Sequence, residues 1–356
     1  MKRLINSIVA LLATVALLFF VRFQLESNAG LNNDKTVVFY NFGDYIDPDL
    51  LKQFEEETGY RVIYETYDSN EAMVTKVEQG GTTYDLLVPS EYMVQSMIKS
   101  DLLRPLDYSL LPNFEHIDSR FKDLAFDPKN RYSIPYFWGT LGILYNPEMI
   151  DGKIEHWDDL WNEEYRNKIL LIDSAREVMG IGLQSLGFSL NETDDTALMV
   201  ATAKMKALMP NVMALAVDEI KMYIAQGEAP IAITYTGEAS MAMEHNENLV
   251  YVVPSEGSNM WFDNLVIPKI ARNIEGAHAL INFLMRPDVA AKNAEYIGYT
   301  TPNKSAIPLL DPEITEDEAF YPSDETIEHL EVYQDLGQEK LIQFNDLYLE
   351  IKMEPR

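Results

Sequence analysis

The sequence predicts an α/β protein of two domains, each a β-sheet flanked by helices. Its 356 residues fit about two domains at the usual 100–200 residues each. Hydrophobic residues make up 47% and charged residues 24%, enough apolar surface to form packed cores. Short β-branched and aromatic runs alternate with capped amphipathic stretches, the pattern of βαβ units around a parallel sheet.

Taken in order, the first element is an export signal. Behind Lys2 and Arg3 the stretch from Leu4 to Val21 is apolar and uncharged, between a secretory apolar region and a membrane span of ~18–20 residues. The two basic residues should hold the chain start in the cytoplasm, which places the rest outside. Ser27, Asn28 and Ala29 offer a weak small-x-small cleavage pattern, so cleavage and retention as a membrane anchor both stay open. Residues 1–33 carry three basic and one acidic residue, leaving −31 on the exported part.

Val37 to Asn41 then reads as a strand, and Asp47 with Pro48 opens a helix as N-cap and first-turn proline. Gly59 ends that helix, whose Leu50, Leu51 and Phe54 face the sheet while Lys52, Glu55 and Glu56 face water. A second strand spans Arg61 to Glu65. A helix starts at Asp68–Asn70 and stops at Gly80 and Gly81, and Tyr84 to Val88 is a buried strand. The same pattern recurs at Ile169 to Ile172 with a helix after Ala175, and at Ile231 to Thr234 with a helix after Gly237. Asn273 caps a helix with Ala277, Leu280, Ile281 and Leu284 on one face; Pro287 ends it, and Asp288 to Tyr296 forms another. With no linker-like stretch, the chain should cross between domains more than once, near Trp138–Thr140 and Asp263–Leu265.

Composition narrows the function. Against 28 Lys and Arg stand 57 Asp and Glu, a net charge of −29, which repels nucleic-acid phosphates and predicts a monomer through self-repulsion. The absence of cysteine excludes disulfides, Cys-zinc sites, thiol nucleophiles and a thioether-linked lipid anchor. The five histidines are scattered, with no two at ligand spacing, so no metal is expected. No Gly-x-Ser-x-Gly, phosphate-loop, His-Glu-x-x-His or Gly-x-Gly-x-x-Gly motif occurs. The chain therefore reads as a binding protein without catalytic residues or a cofactor. A carboxylate-dependent hydrolase is the enzymatic alternative, since sequence does not measure the separation of two acids.

Ligands of open α/β sheets bind beyond the carboxyl ends of the strands. The segments there are Tyr40 to Tyr45, Pro89 to Tyr92, Asp173 to Glu177, Thr234 to Glu238, Trp261 to Asp263 and Gly298 to Thr300. Rings and carboxylates recur in them, and together they attract ammonium groups, at ~0.5–2 kcal/mol per ring face. A linear polyamine is complementary: charged ends for Asp and Glu, and methylenes worth ~0.8 kcal/mol each when buried. Arg176 is the one basic residue in these segments, which argues against an anionic ligand. The competing reading is that the rings merely pack the surface between domains. Glu91, Glu238 and Arg176 are read as facing solvent or supporting a loop, and Trp157 with Trp161, at i and i+4, as a packed helix face.

These segments resemble the spermidine/putrescine-binding components of polyamine ABC transporters. The likeness runs from about residue 36 to about 350 and is carried by YNFGDY at 40–45, YDSNE at 67–71, YDLLVPSEY at 84–92, YSIPY at 132–136 with Trp138 and Gly139, Ala175 to Glu177, Trp261 to Asp263, INFL at 281–284 with Arg286 to Asp288, and IGYTTPN at 297–303. It implies a two-lobed periplasmic binding protein of type II, each lobe a central mixed β-sheet flanked by helices, with the ligand cleft between lobes. The expected lobes are 34–139 plus 264–329 and 140–263 plus 330–356. By the same resemblance Tyr45, Tyr92, Tyr235, Trp261 and Tyr299 wall the methylenes. Asp44, Glu177 and Asp263 receive ammonium groups, while Ser90 and Gln334 add polar contacts. Phe42 and Tyr235 stand where many members have Trp, and Ser174 stands where some place Asp, a change that could shift affinity or preference; neighbouring Asp173 should point elsewhere. The implied partners are the polyamine and permease subunits, with the membrane a partner if the N-terminal segment is retained. A quaternary-amine or ferric carrier and a polyamine sensor are the alternatives.

Overall fold

The computed structural model describes residues 35–217 and 219–354. The expected export segment, Leu4 to Val21, and the cleavage pattern at Ser27 to Ala29 lie outside them. Among the described residues no helix is long and apolar enough to cross a membrane.

The first half of the chain forms β1 (Thr36–Phe42), α1 (Pro48–Thr58), β2 (Arg61–Tyr67), α2 (Asn70–Gln79), β3 (Leu86–Leu87), α3 (Glu91–Lys99) and β4 (Ser133–Tyr145). Then come β5 (Ile169–Ile172), α4 (Ala175–Gln184), α5 (Asp195–Leu208), β6 (Val212–Ala216), α6 (Ile220–Ala225), β7 (Ile231–Tyr235) and α7 (Thr236–His245). The chain closes with β8 (Val250–Val252), β9 (Met260–Val266), α8 (Ile274–Leu284), α9 (Pro287–Ile297), α10 (Pro312–Thr315), α11 (Asp324–Glu328) and α12 (Gln338–Lys352).

The expected caps are present. The Asp47 side chain accepts from Asp49 N, Gly59 closes α1 at φ 72°, Ser69 accepts from Ala72 N, and Asn273 accepts from Gly276 N. These bonds satisfy amides that the helix itself leaves unpaired, and a left-handed φ at Gly59 carries no Cβ penalty. The strand expected from Tyr84 shrinks to Leu86–Leu87 because Asp85 takes over its neighbours' amides. Its buried carboxylate accepts from Val38 N at 2.9 Å, Arg272 N at 2.8 Å and Asn273 N at 2.9 Å.

One path of strands runs β2-β1-β3-β9-β4-β7-β5-β6, with β8 on β4. Parallel triplets stand at both ends, β2-β1-β3 and β7-β5-β6, and each meets a central antiparallel strand, β9 or β4. The sheet is therefore mixed, flanked by helices, an α/β fold of the two-lobed type II binding-protein kind. β4 serves both halves. From Ser133 to Thr140 it pairs with β9, and from Leu141 to Tyr145 with β7. The cores divide at the same place: one gathers Leu141, Ile169, Leu198, Ile231 and Phe344, while two others, around Phe39, Leu50, Ile134 and Leu280 and around Met73, Tyr84, Trp138 and Phe262, build the rest.

At the switch of partners a knot of hydroxyls fixes β4. Thr140 N donates to Thr236 Oγ1 at 2.9 Å, which donates back to Thr140 O at 3.0 Å, and Tyr251 OH donates to the same carbonyl at 2.9 Å. The two tryptophans read as packing do pack, in a 3₁₀ turn (Trp157–Trp161), with their indole N–H groups on Gly257 O and Lys204 O at 2.9 Å each.

Candidate functional site

β9 sits near the middle of the sheet path and carries two candidate residues on one face, since side chains two apart along a strand point the same way. Phe262, between Trp261 and Asp263, is fully buried in a core. Asp263, 8% exposed, accepts from Tyr45 OH at 2.8 Å and Ser90 Oγ at 2.7 Å. Asn70, at the start of α2, orients Ser90: its Oδ1 accepts Ser90 N at 3.1 Å and its Nδ2 donates to Ser90 Oγ at 3.0 Å. The same Nδ2 reaches Tyr92 OH at 3.1 Å, and Tyr92 OH reaches Glu71 at 3.3 Å.

A second acid comes from the other half. Glu177 lies in the first turn of α4, 4% exposed. It accepts from Tyr333 OH at 2.7 Å, Tyr235 OH at 2.9 Å and Asn259 Nδ2 at 3.3 Å. Arg176 does not bond it. That guanidinium stacks 4.3 Å from the centre of the Tyr333 ring and donates to Gln334 O and Asn191 Oδ1, so it braces Tyr333 from behind.

Rings join the two acids. Tyr45 meets Tyr299 at 5.6 Å between centroids, Tyr299 meets Trp261 at 5.3 Å, and Trp261 meets Tyr235 at 6.1 Å, at interplanar angles of 74°, 77° and 78°. Phe42 extends the row 5.8 Å beyond Tyr45. Edge-to-face contacts of this kind let each ring stabilise the next. Two glycines make room for them. A Cβ on Gly139 would stand 2.6 Å from the Trp261 ring, and one on Gly237 would overlap the Tyr299 ring. Tyr299 is anchored further by its hydroxyl on Glu238 Oε1 at 2.8 Å.

Burial sets the electrostatics. It pushes the Asp263 carboxyl up to about 6, against the hydrogen bonds from Ser90 and Tyr45 that favour the charged form. Glu177 is likewise raised by burial and opposed by Tyr333 and Tyr235. The phenols of Tyr45, Tyr235 and Tyr333 are held well above their ordinary value by burial and by these carboxylates, so they remain donors. Among the described residues neither acid accepts a hydrogen bond from Lys, Arg or His. Two buried carboxylates without a bonded cation can take up ammonium groups, which would restore the charge balance that burial makes costly. No three His, Asp or Glu among the described residues are placed to hold a metal ion.

The structure thus brings Phe42, Tyr45, Ser90, Tyr235, Trp261, Asp263, Tyr299 and Glu177 into one row. The other expected residues sit apart. Asp44 is exposed, at φ 50°. Tyr92 is half-buried and reaches Asp263 through Asn70 and Ser90. Ser174 is the N-cap of α4 but makes no side-chain cap bond, and Asp173 is turned to Tyr348 and Lys352 of α12. Gln334 is exposed, tied by its main chain to Asn191 and Arg176.

One reading needs correction: Glu91 neither faces solvent nor supports a loop, since it is 1% exposed and its Oε2 accepts Phe262 N of β9 at 3.0 Å. Glu238 supports the loop that carries Tyr299, one of the two roles expected of it. Tyr333, Asn70 and Asn259 were not anticipated. Asn259 was within reach of strand alternation, two residues before Trp261, whereas Tyr333 lies in an irregular segment next to Gln334.

The model of bacterial extracellular solute-binding proteins matches residues 49–322. The spermidine/putrescine-binding periplasmic protein of Salmonella typhimurium is 43% identical over 328 residues, covering 92% of this chain and 94% of that protein. A putrescine/agmatine-binding protein of Pseudomonas aeruginosa is 32% identical, covering 82% and 85%. Among solved structures, the spermidine/putrescine ABC transporter substrate-binding protein of Streptococcus pneumoniae superposes with a TM-score of 0.85 at 55% identity, covering 90% of this chain and 99% of that one.

Proposed function

Because the chain belongs to the family of bacterial extracellular solute-binding proteins, we propose that it captures a linear polyamine, spermidine or putrescine, and hands it to the permease of an ABC transporter for uptake. One observation carries this reading: Asp263 and Glu177, both buried and hydrogen-bonded among the described residues by hydroxyl or amide donors and not by Lys, Arg or His, lie at either end of the ring row Tyr45, Tyr299, Trp261, Tyr235. Ammonium ends suit the acids, and methylenes between them suit the rings. The names of the relatives support the same ligand class.

In this reading Phe42, Tyr45, Tyr235, Trp261 and Tyr299 wall the carbon chain, with Tyr92 beside them. Ser90 holds Asp263, and Asp44, Ser174 and Gln334 reach the ligand from the rim when the lobes close. The lobes are 34–139 with 264–329 and 140–263 with 330–356, turning about β4 where it changes partners. The site captures without turnover. The protein works outside the cytoplasmic membrane as a monomer, released from residues 4–21 or held by them.

Titration calorimetry of the full chain, freed of co-purified ligand, tests this with spermidine, putrescine, spermine, choline and glycine betaine at two salt concentrations. One site for a linear polyamine with Kd on the order of micromolar or tighter, weakening with salt, is the expected result. Binding of choline or a coloured ferric complex with no heat from any linear polyamine would overturn it.

A further inference from the structure

Glu91 opens α3 with its side chain buried, and its Oε2 takes the amide of Phe262, the residue between Trp261 and Asp263. Ser90, its neighbour, takes Asp263 itself. The start of α3 therefore grips β9 at two successive residues, the backbone of Phe262 and the cleft side chain of Asp263. The titratable groups electrostatically coupled to Glu91 are Asp263 from β9, Glu177 from α4, Tyr92 from its own helix and Tyr333 from the segment before α12. The two carboxylates in that set carry the sign that an ionised Glu91 would carry. Lys99, at the far end of α3, is committed to Asp335 at 2.8 Å.

Resting on the polyamine reading above, we propose that Glu91 is a third acid of the cleft that gives up a proton to solvent when a polycation binds, so that capture of the ligand is coupled to proton release. Burial, with the fields of Asp263 and Glu177, holds its carboxyl up at about 8, against the amides of Phe262 and of Glu91 itself. Ammonium groups arriving beside Asp263 and Glu177 would cancel that field and favour the carboxylate. Above pH 7 the exchange belongs to Glu91. Asp263 ionises lower; Glu177 is raised by burial too, against two phenols, the charge of nearby Arg176 and the Asn259 amide, and the E91Q variant separates its share from that of Glu91. The phenols of Tyr92 and Tyr333 are raised away from neutrality and do not take part.

The test is calorimetry of the full chain with spermidine at pH 7.5 in phosphate and in Tris, buffers of different ionisation enthalpy, for the wild type and for E91Q, whose amide oxygen can still accept Phe262 N–H. The wild type should release about 0.3–0.8 proton per ligand, and its association constant should fall up to about tenfold as pH is lowered from 8.5 to 6.5. In E91Q the buffer difference should collapse and the pH dependence above 7 should flatten. A wild type that binds with equal enthalpy in both buffers, or a buffer difference unchanged in E91Q, overturns the proposal. If E91Q fails to fold, the wild-type profile decides, because a flat association constant above pH 7 is enough to reject it. Absence of heat from every linear polyamine instead overturns the functional reading on which the proposal rests.

Discussion

The protein contains the same ammonium chemistry twice, once complete and once not. At the edge of the sheet Lys76 lies 4.8 Å from the centre of the Tyr40 ring and 5.5 Å from that of Tyr84, rings that stack at 4.2 Å, and it donates to Glu65 at 3.3 Å. Tyr84 OH bonds the same Glu65 oxygen at 3.1 Å. There the chain supplies its own cation, and the hydrogen bonds and rings raise the Lys76 ammonium. In the cleft the rings and acids recur, but the acids meet hydroxyls, and their carboxyls rise instead. The difference teaches that aromatic-acid pairs become a receptor when the fold withholds the cation it could have provided.

The sharpest way to break the comparison is Asp263→Asn. It keeps the shape that Tyr45 and Ser90 hold but removes the charge an entering ammonium would meet, so polyamine affinity should fall about 100-fold or more. Calorimetry showing unchanged affinity would take Asp263 out of the site. Trp261→Ala comes next. Because the ring reads methylenes and not length, every linear polyamine should weaken alike, by about 10-fold, and a loss confined to one ligand would contradict that role.

A third outcome follows from the raised acids. Asp263 moves from 3.8 to about 6 and Glu91 from 4.5 to about 8 on folding, so between those values the native state binds more protons than the unfolded chain. Stability of the ligand-free protein should therefore fall as pH rises from about 4 to about 8. Thermal melts should show a higher Tm at pH 5.5 than at pH 8, with bound polyamine narrowing the gap. A Tm that rises over this interval would show that other groups dominate. The smallest effect belongs to the complete nest: Lys76→Met should cost about 0.5–1 kcal/mol in urea unfolding and leave polyamine affinity as it was.

Much of this arrangement is legible in the sequence where local chemistry decides it. Asp47, Ser69 and Asn273 announce helix starts, Gly59 an end, and the ring-and-acid runs at the ends of β1 and β7 and within β9 announce the rings and Asp263. What resists reading depends on distant partners. β4 holds Pro135, Gly139 and Gly142 in an unbroken buried run, which lacks the alternation of a half-exposed strand. Its glycines make sense once Trp261 and Tyr251 are seen lying against them. Glu91 resembles any first-turn acid until Phe262 N closes on it, and Tyr333 gains meaning only from Glu177, 156 residues earlier.

The register of β4 also bears on the order in which the protein can be made. Ser133 finds its partner only at Val266, and Phe344, Tyr348 and Ile351 of α12 complete a core begun at Leu141. Neither half can close its sheet and core from the residues first synthesised, because contacts of such long separation form late. Closure of either half therefore waits on residues far along the chain, Val266 for the pairing of β4 with β9 and α12 for the core around Leu141.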